Sequence, residues 1–225
     1  MQNVFCSWSG GKDCCLACYM AQNSGLKVSY LANMITENSE RSWSHGQRPE
    51  LLQIQAEALG IPLYQQRSNR ADYTASFQKM ILEMKKDGVS GGVFGDIDFN
   101  AHREWIEKVC RETGINPHLP LWLRSQDELM EEFIKLGFEA VVVAVKTDVL
   151  DAGVLGQRLD GKFVKHLREI GKDKDVTICG EAGEYHTFVV DGPIFRQRID
   201  IRDSQVVNED GRAIMKILKT DLQAK

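Results

Sequence analysis

Short apolar segments alternate with longer amphipathic ones along the first half of this sequence, and this alternation restricts the fold more than any other feature. Hydrophobic periodicity predicts strands at residues 3–8, 28–35, 61–64 and 91–95, and helices at residues 12–23, 50–59, 71–86 and 101–112. A β-α repeat of this kind is typical of a parallel sheet flanked by helices, in which ligands bind beyond the carboxyl ends of the strands. Because Gly10-Gly11 and Gly95-Asp96 follow two of these strands, we expect a binding site there.

The second half of the sequence has a different, increasingly β-rich pattern. It predicts helices at residues 127–136 and 163–170, strands at residues 140–145, 176–179, 187–190, 194–201 and 213–218, and a frayed tail after Lys219. Residues 117–122 contain two prolines and are interpreted as a domain boundary or hinge. The sequence therefore predicts an α/β domain over residues 1–122 and a smaller α+β domain over residues 123–225.

Charge and hydropathy exclude several classes of protein. The chain has 28 basic and 32 acidic residues and a net charge of −4, whereas a surface that binds duplex nucleic acid usually carries a basic excess. We therefore expect no stable nucleic-acid binding. No apolar run approaches the roughly 18–20 residues that span a bilayer, and no signal peptide is evident, so we expect a cytoplasmic protein without membrane contact. The β-rich C-terminal region is a candidate interface for a homo-oligomer.

Six cysteines, four of them crowded near the N-terminus, suit a reducing compartment better than a disulfide framework. Cys15-x-x-Cys18 can be interpreted as a redox pair or half a metal site, or as small buried apolar side chains. Burial is favoured, because a second CxxC and a histidine at zinc-finger spacing are both missing.

The segment Ser9-Gly10-Gly11-Lys12-Asp13 lies between a predicted strand and a predicted helix. Two glycines allow a sharp turn and a close approach of the backbone to a ligand, and the N–H groups at a helix N-terminus favour an anion. Lys12 adds an ammonium group and Ser9 a hydroxyl donor. Asp13 would repel a phosphate unless it binds a magnesium ion or the loop backbone. These features indicate a phosphate-binding loop.

This segment resembles the PP-loop of the ATP pyrophosphatases, whose members normally read SGGKDS, although Cys14 replaces the last serine here. The resemblance implies an adenine nucleotide alpha hydrolase-like (HUP) fold. It also implies that residues 9–13 of the first domain hold the phosphates of ATP together with Mg²⁺, and that Lys12 takes part in catalysis. Members of that superfamily cleave ATP between the α- and β-phosphates and adenylylate a substrate oxygen.

A second block, residues 179–188 (CGEAGEYHTF) followed by Val190-Asp191-Gly192-Pro193, is similar to the GEGGEFETxVxDxP signature of the diphthine–ammonia ligase family. Shorter fragments follow in the same order over nearly the whole chain. This resemblance implies that ATP activates the carboxylate of diphthine on elongation factor 2 and that ammonia displaces AMP, with free ammonium as the nitrogen source. It implies a substrate site that includes Asn38, His45, Gly46 and the second block.

Glu181 and Glu184 are candidate catalytic and substrate-binding residues. Two carboxylates this close could bind ammonium, coordinate magnesium or act as a base, and a solvated turn is the alternative. Thr187 could donate or accept a hydrogen bond with substrate.

Several residues depart from the ligase pattern. His186 stands where family members often carry Glu, and Ala182 replaces a glycine. After the fourth predicted strand, Asp96, Asp98 and His102 form, with His186, an acidic and imidazole set that binds a metal or a different substrate. A capped helix start, with Asn100 as the N-cap and the charges in solvent, explains residues 96–102 equally well.

Two other functions stay open on the sequence. One is a PP-loop enzyme that adenylylates tRNA before sulfur transfer, in which Cys15 or Cys18 would take part. The other is a protein of the same fold that binds ATP or AMP without turnover. The acidic composition disfavours the first, and the pair of glutamates disfavours the second.

Overall fold

The first half of the chain folds as a five-stranded, entirely parallel sheet with helices between its strands, as the alternating pattern predicts. In the computed structural model, which describes residues 1–38, 42–43, 47–172, 174 and 176–225, the strand order is β3-β2-β1-β4-β5. The strands are β1 (Asn3–Ser7), β2 (Lys27–Thr36), β3 (Leu63–Ser68), β4 (Gly91–Val93) and β5 (Asn116–His118). The helices are α1 (Lys12–Asn23), α2 (Pro49–Leu59), α3 (Tyr73–Lys86) and α4 (Asn100–Thr113).

The second half contains a four-stranded antiparallel sheet of order β7-β6-β9-β8 and two helices. Its elements are α5 (Gln126–Lys135), β6 (Glu139–Lys146), α6 (Gly161–Ile170), β7 (Tyr185–Asp191), β8 (Gln197–Glu209) and β9 (Arg212–Ala224). The predicted fold class, a HUP-like parallel α/β sheet and a smaller C-terminal α+β part, is therefore confirmed.

The chain divides into two compact units, and one short N-terminal segment belongs to the C-terminal unit. The first unit consists of Met1–Ser9 and Asp13–Leu123, and the second of Arg124–Lys225 together with Gly10–Lys12. The glycine-rich segment at the end of β1 thus packs with the C-terminal part of the chain. The assignment of ATP binding to the first domain and of substrate binding to the second stays a prediction.

Aromatic packing forms the core of the first unit beneath β1 and β4. Phe5 lies edge-on to Phe77 at 6.1 Å and to Phe94 at 5.7 Å between ring centroids. Helices α3 and α4 contribute Met80, Ile81 and Ile106 to the same cluster. All of these side chains are buried, so the sheet is covered on this face as a parallel sheet requires.

The strand predicted at residues 176–179 is wrong. This segment is a turn in which the Gly180 N–H donates to the Thr177 oxygen, and Gly180 has a φ of +75°. Its apolar residues are typical of a short buried strand. In the structure, however, the Thr177 N–H donates to the Glu184 carboxylate and not to a carbonyl oxygen of a neighbouring strand. A side-chain acceptor has replaced the ladder partner.

One expectation about the chain connections is wrong, and the other stays a prediction. Residues 117–122, expected to be a domain boundary or hinge, lie just before the division of the two units after Leu123, although Pro117 lies in β5, an edge strand that pairs with β4. Proline is tolerated there since an edge strand leaves one row of backbone groups unpaired. The tail after Lys219 is not frayed: β9 continues to Ala224, which pairs with Gln197 of β8.

The start of α4 differs from the expected cap. The helix begins at Asn100 itself, and the residue before it is Phe99, which provides no side-chain cap. Asn100 is therefore not the N-cap. The predicted end of α2 at Gly60 is confirmed. Gly60 has a φ of 68°, and its N–H donates to the oxygens of Ala56 and Glu57, as in a helix C-cap.

None of the six cysteines forms a disulfide and all are buried, which agrees with the burial interpretation. Burial raises the pKa of the Cys15 thiol well above its usual value, so the thiolate that redox or metal chemistry requires is disfavoured. No helix in the described part of the chain has the length and apolar character needed to cross a membrane.

Candidate active site

Hydrogen bonds to strand β2 and helix α2 position the residue before the turn that follows β1. The Trp8 N–H donates to the Ala32 oxygen at 2.8 Å, and the Trp8 indole donates to the Gln55 side chain at 3.0 Å. Gly10 then takes a φ of +80°, which only glycine adopts readily, and α1 begins two residues later. The Ser9 hydroxyl donates to the Cys14 sulfur at 3.5 Å, so the cysteine that replaces the usual serine contacts the turn.

Strands β1 and β4 are parallel neighbours in the sheet, so their carboxyl ends lie at the same edge. Gly95 lies directly against the start of α1: a Cβ at this position would be 2.9 Å from the Asp13 carbonyl carbon and 3.0 Å from the Cys14 nitrogen. The absence of a side chain at Gly95 is therefore what allows this close approach.

A Gly95→Ala variant is expected to lose about 1–3 kcal/mol of unfolding free energy, because the added methyl group meets backbone atoms that cannot rotate away. Urea unfolding measures this loss. The control is Gly161→Ala at the start of α6, where an added Cβ has no heavy atom within 4 Å. Equal stability of the two variants would contradict the close approach.

Within the second unit, the Gly10–Lys12 segment contacts strand β7. The Lys12 N–H donates to the Thr187 hydroxyl oxygen at 3.1 Å, and the Val189 N–H donates to the Gly10 oxygen at 3.0 Å. The two blocks that the sequence singled out, which lie 175 residues apart at Lys12 and Thr187, are thus joined by hydrogen bonds. Thr187 binds the loop backbone in this structure, and its contact with substrate stays a prediction.

The Lys12 side chain is buried, with 6% of its surface exposed. Its ammonium group donates to the Cys179 oxygen and lies 5.4 Å from the centre of the Tyr185 ring. A carbonyl oxygen and an aromatic face both stabilise a cation. The structure therefore keeps an ammonium group at this loop.

Glu184 is buried, with 1% of its surface exposed, so the solvated-turn interpretation of this residue is wrong. Its Oε1 accepts the Thr177 N–H at 2.6 Å. Its Oε2 is also buried and has no hydrogen-bond partner among the described residues. A buried carboxylate oxygen without a partner is costly, and such groups occur where a ligand or a proton completes the site.

Glu181 differs from Glu184 in its surroundings, although the two belong to the same turn. It is half-buried, and its N–H donates to the Thr177 hydroxyl at 2.8 Å. Thr177 thus binds the backbone of one glutamate and the side chain of the other. The sequence pattern gave no reason to select Thr177, because it lay in a predicted strand.

His186 is half-buried on β7 among cationic side chains. Burial, followed by the charges of Arg212, Lys12 and Lys146, lowers the pKa of His186 to about 4. The imidazole is therefore neutral at pH 7.

The depressed pKa of His186 predicts acid lability. In the unfolded chain this group takes up a proton near pH 6.5, whereas in the folded chain it does so near pH 4, so stability falls as the pH drops through this window. We expect this residue to contribute roughly 1–3 kcal/mol to the loss of unfolding free energy between pH 7 and pH 4. Urea unfolding at several pH values measures the loss, and His186→Gln should flatten it. An identical pH profile in the variant would contradict the assignment.

Asp96 and His102 come together at the start of α4, where the Asp96 carboxylate lies 3.1 Å from His102 Nδ1. Asp98 is exposed in the same segment. His186 belongs to the second unit, whereas these three residues belong to the first. Asn38 is an exposed turn residue, and His45 and Gly46 lie outside the described residues. A substrate-binding role for Asn38, His45, Gly46, Asp96 and His102 stays a prediction.

The described residues contain no cluster of three or more His, Cys, Asp or Glu side chains that could hold a metal ion. This statement covers residues 1–38, 42–43, 47–172, 174 and 176–225. Magnesium is commonly bound by one or two carboxylates together with substrate phosphates, which does not require such a cluster. Asp13, in the first turn of α1 next to the predicted phosphate loop, is compatible with this mode of binding.

Sequence reasoning did not identify Lys146 and Arg212. Lys146 ends an apolar strand and Arg212 follows an Asp-Gly turn, and neither lies in a recognisable motif. Their positions beside the turn at residues 179–183 arise only from the pairing of β6 with β9.

Two family models match nearly the whole chain. The model described as the diphthamide synthase N-terminal domain matches residues 2–117, and that of the diphthamide synthase C-terminal domain matches residues 125–222. A diphthine–ammonia ligase from Bos taurus is 31% identical over 91% of this chain and 85% of that protein. The human diphthine–ammonia ligase is 31% identical over 88% of this chain and 82% of that protein.

Among solved structures, one match is described as a predicted subunit of a tRNA methyltransferase from Methanocaldococcus jannaschii. It is 17% identical, has a TM-score of 0.46, and covers 86% of this chain and 98% of that chain.

Proposed function

Because this chain belongs to the diphthamide synthase family, we propose that it is an ATP-dependent ligase that converts diphthine on elongation factor 2 to diphthamide. The relatives that it matches over most of their length are diphthine–ammonia ligases, enzymes that form a C–N bond. ATP is the activating substrate, and ammonium is the nitrogen source that this reaction requires.

One observation supports this proposal most directly. The segment that resembles a phosphate loop and the segment that resembles the ligase signature lie 175 residues apart in sequence, yet the Lys12 N–H and the Thr187 hydroxyl are hydrogen-bonded. A reaction that joins ATP to a carboxylate needs the phosphates and the acceptor held side by side. The contact between the two segments supports such an arrangement.

In the first step the acceptor carboxylate attacks the α-phosphorus of ATP, and the bond from that phosphorus to the β-bridging oxygen breaks. Pyrophosphate leaves with the electron pair, and an acyl-adenylate forms. Ser9, Gly10, Gly11, Lys12 and Asp13 would bind the phosphates through backbone N–H groups, a hydroxyl and an ammonium group. Asp13 would hold the magnesium ion, which neutralises phosphate charge when bound.

In the second step the ammonium ion loses one proton to solvent, and the resulting ammonia attacks the acyl carbon. AMP leaves with the electron pair of the acyl–oxygen bond, and a second proton must be removed from nitrogen. Glu184 is suited to receive this proton, because its Oε2 is buried and has no other partner among the described residues. Glu181, half-buried in the same turn, is suited to bind the incoming ammonium.

The test is a reconstitution with ATP, magnesium, ammonium and elongation factor 2 that carries diphthine. We expect sustained AMP formation only when all components are present, and isotopically labelled ammonium to enter the factor. Without ammonium, pyrophosphate release should stop once the acyl-adenylate has formed, because only the second step consumes ammonia. AMP release that depends on tRNA instead would replace this proposal with a tRNA-modifying activity. Tight ATP binding without AMP under any condition would indicate a nucleotide-binding protein.

A further inference from the structure

Three cationic side chains in the second unit converge on one short turn, residues 179–183. The Lys12 ammonium group donates to the Cys179 oxygen, Lys146 Nζ donates to the Ala182 oxygen at 2.6 Å, and Arg212 Nη1 donates to the Gly183 oxygen at 2.9 Å. The three come from the first residue of α1, from the end of β6 and from the start of β9.

Lys146 and Arg212 are directly opposite each other on neighbouring antiparallel strands. Like charges at such positions normally destabilise a sheet. Within the described part of the chain, no carboxylate lies within ion-pair distance of Lys146 or Arg212, and their head groups bind main-chain oxygens. Both cations are therefore held by carbonyl dipoles and not by an ion pair.

The turn is shaped so that both side chains reach it. Gly183 has a φ of +74°, and a Cβ at this position would be 3.2 Å from Arg212 Nη2 and 3.9 Å from Lys146 Cε. His186, the neighbouring titratable group on β7, is neutral at pH 7 and does not compete as a cation. The Glu184 carboxylate accepts the Thr177 N–H.

We propose that Lys12, Lys146 and Arg212 form a single pyrophosphate-binding site, in which Lys146 and Arg212 bind the β- and γ-phosphates of ATP. This inference rests on the proposed function, since Lys12 belongs to the predicted phosphate loop. Pyrophosphate carries several negative charges on closely spaced oxygens, and a guanidinium and two ammonium groups match such a ligand. When the bond between the α-phosphorus and the bridging oxygen breaks, these cations stabilise the electron pair on the departing pyrophosphate.

The experiment titrates the full chain with inorganic pyrophosphate and, separately, with AMP, using calorimetry. Lys146→Gln and Arg212→Gln are each expected to weaken pyrophosphate binding by about tenfold, while AMP binding is unchanged because AMP lacks the β- and γ-phosphates. The matched control is Lys219→Gln, an exposed residue of the same strand as Arg212, which should bind pyrophosphate like the unaltered chain.

Charge-conserving variants separate binding from folding. Lys146→Arg and Arg212→Lys should retain most of the affinity for pyrophosphate even if the glutamine variants unfold. Folded Lys146→Gln and Arg212→Gln variants could bind pyrophosphate normally while Lys12→Ala does not. In that case Lys146 and Arg212 only stabilise the turn, and the proposal that they bind pyrophosphate is overturned. If Lys12→Ala also binds pyrophosphate normally, the phosphate-loop assignment in the proposed function fails as well.

Discussion

Replacement of Lys12 by alanine is expected to reduce AMP formation from ATP by about 10³-fold, the largest effect of any single substitution in this chain. The reason is electrostatic. The ammonium group is held at the loop by the Cys179 oxygen and the Tyr185 ring, in a site that is 94% shielded from solvent, where a charge acts more strongly than in water. The measurement is the initial rate of AMP release in the complete reaction with elongation factor 2.

Two further variants test whether the lower rate is specific to the charge and geometry of Lys12. Lys27→Ala removes an exposed lysine at the start of β2 and should leave the rate unchanged. Lys12→Arg keeps the charge but alters the geometry, so it should be intermediate between alanine and lysine. Thermal unfolding must show that Lys12→Ala is folded. A folded Lys12→Ala variant with unchanged turnover would refute the assignment of residues 9–13 as the phosphate loop.

The second large effect is expected at Glu184, where two substitutions separate chemistry from structure. Glu184→Gln keeps an oxygen that can accept the Thr177 N–H but removes the group that receives a proton, so we expect a folded protein with turnover reduced about 10²-fold. Glu184→Ala also removes the acceptor, and it should cost about 1–3 kcal/mol of unfolding free energy because a buried N–H loses its partner.

Amide formation and urea unfolding are measured on the same samples. Glu169→Gln, a change at an exposed glutamate of α6, is the control and should alter neither quantity. If Glu184→Gln is stable and turns over normally, the carboxylate only organises the turn at residues 176–183 and has no role in proton transfer.

Local sequence patterns predicted most helices and strands because the relevant interactions are local or repetitive. The first helix was predicted at its observed bounds, since its start follows two glycines and its end precedes a glycine. The strand prediction for residues 176–179 was wrong. Their apolar side chains fit a short strand, but the Thr177 N–H donates to the Glu184 carboxylate and not to a neighbouring strand. A side chain that replaces a ladder partner leaves no periodic signal.

The candidate site was also predictable from the sequence only in part. Its glycines, Lys12 and the two glutamates were selected from residue types that phosphate binding and proton transfer require, and by resemblance to a family. Burial was not predictable: Glu184 is enclosed and Glu181 is half-buried, although they are three residues apart in one turn. The difference depends on which elements cover each side chain.

The sequence by itself determined the parallel α/β order, the glycine-rich turn and the family of this protein, since these depend on periodicity, on backbone freedom and on residue identity. Only the tertiary structure decided that the Gly10–Lys12 segment packs with strand β7 and that Lys146 and Arg212 lie opposite each other beside the 179–183 turn. Strand register sets these neighbours, and register depends on contacts between residues far apart in the chain.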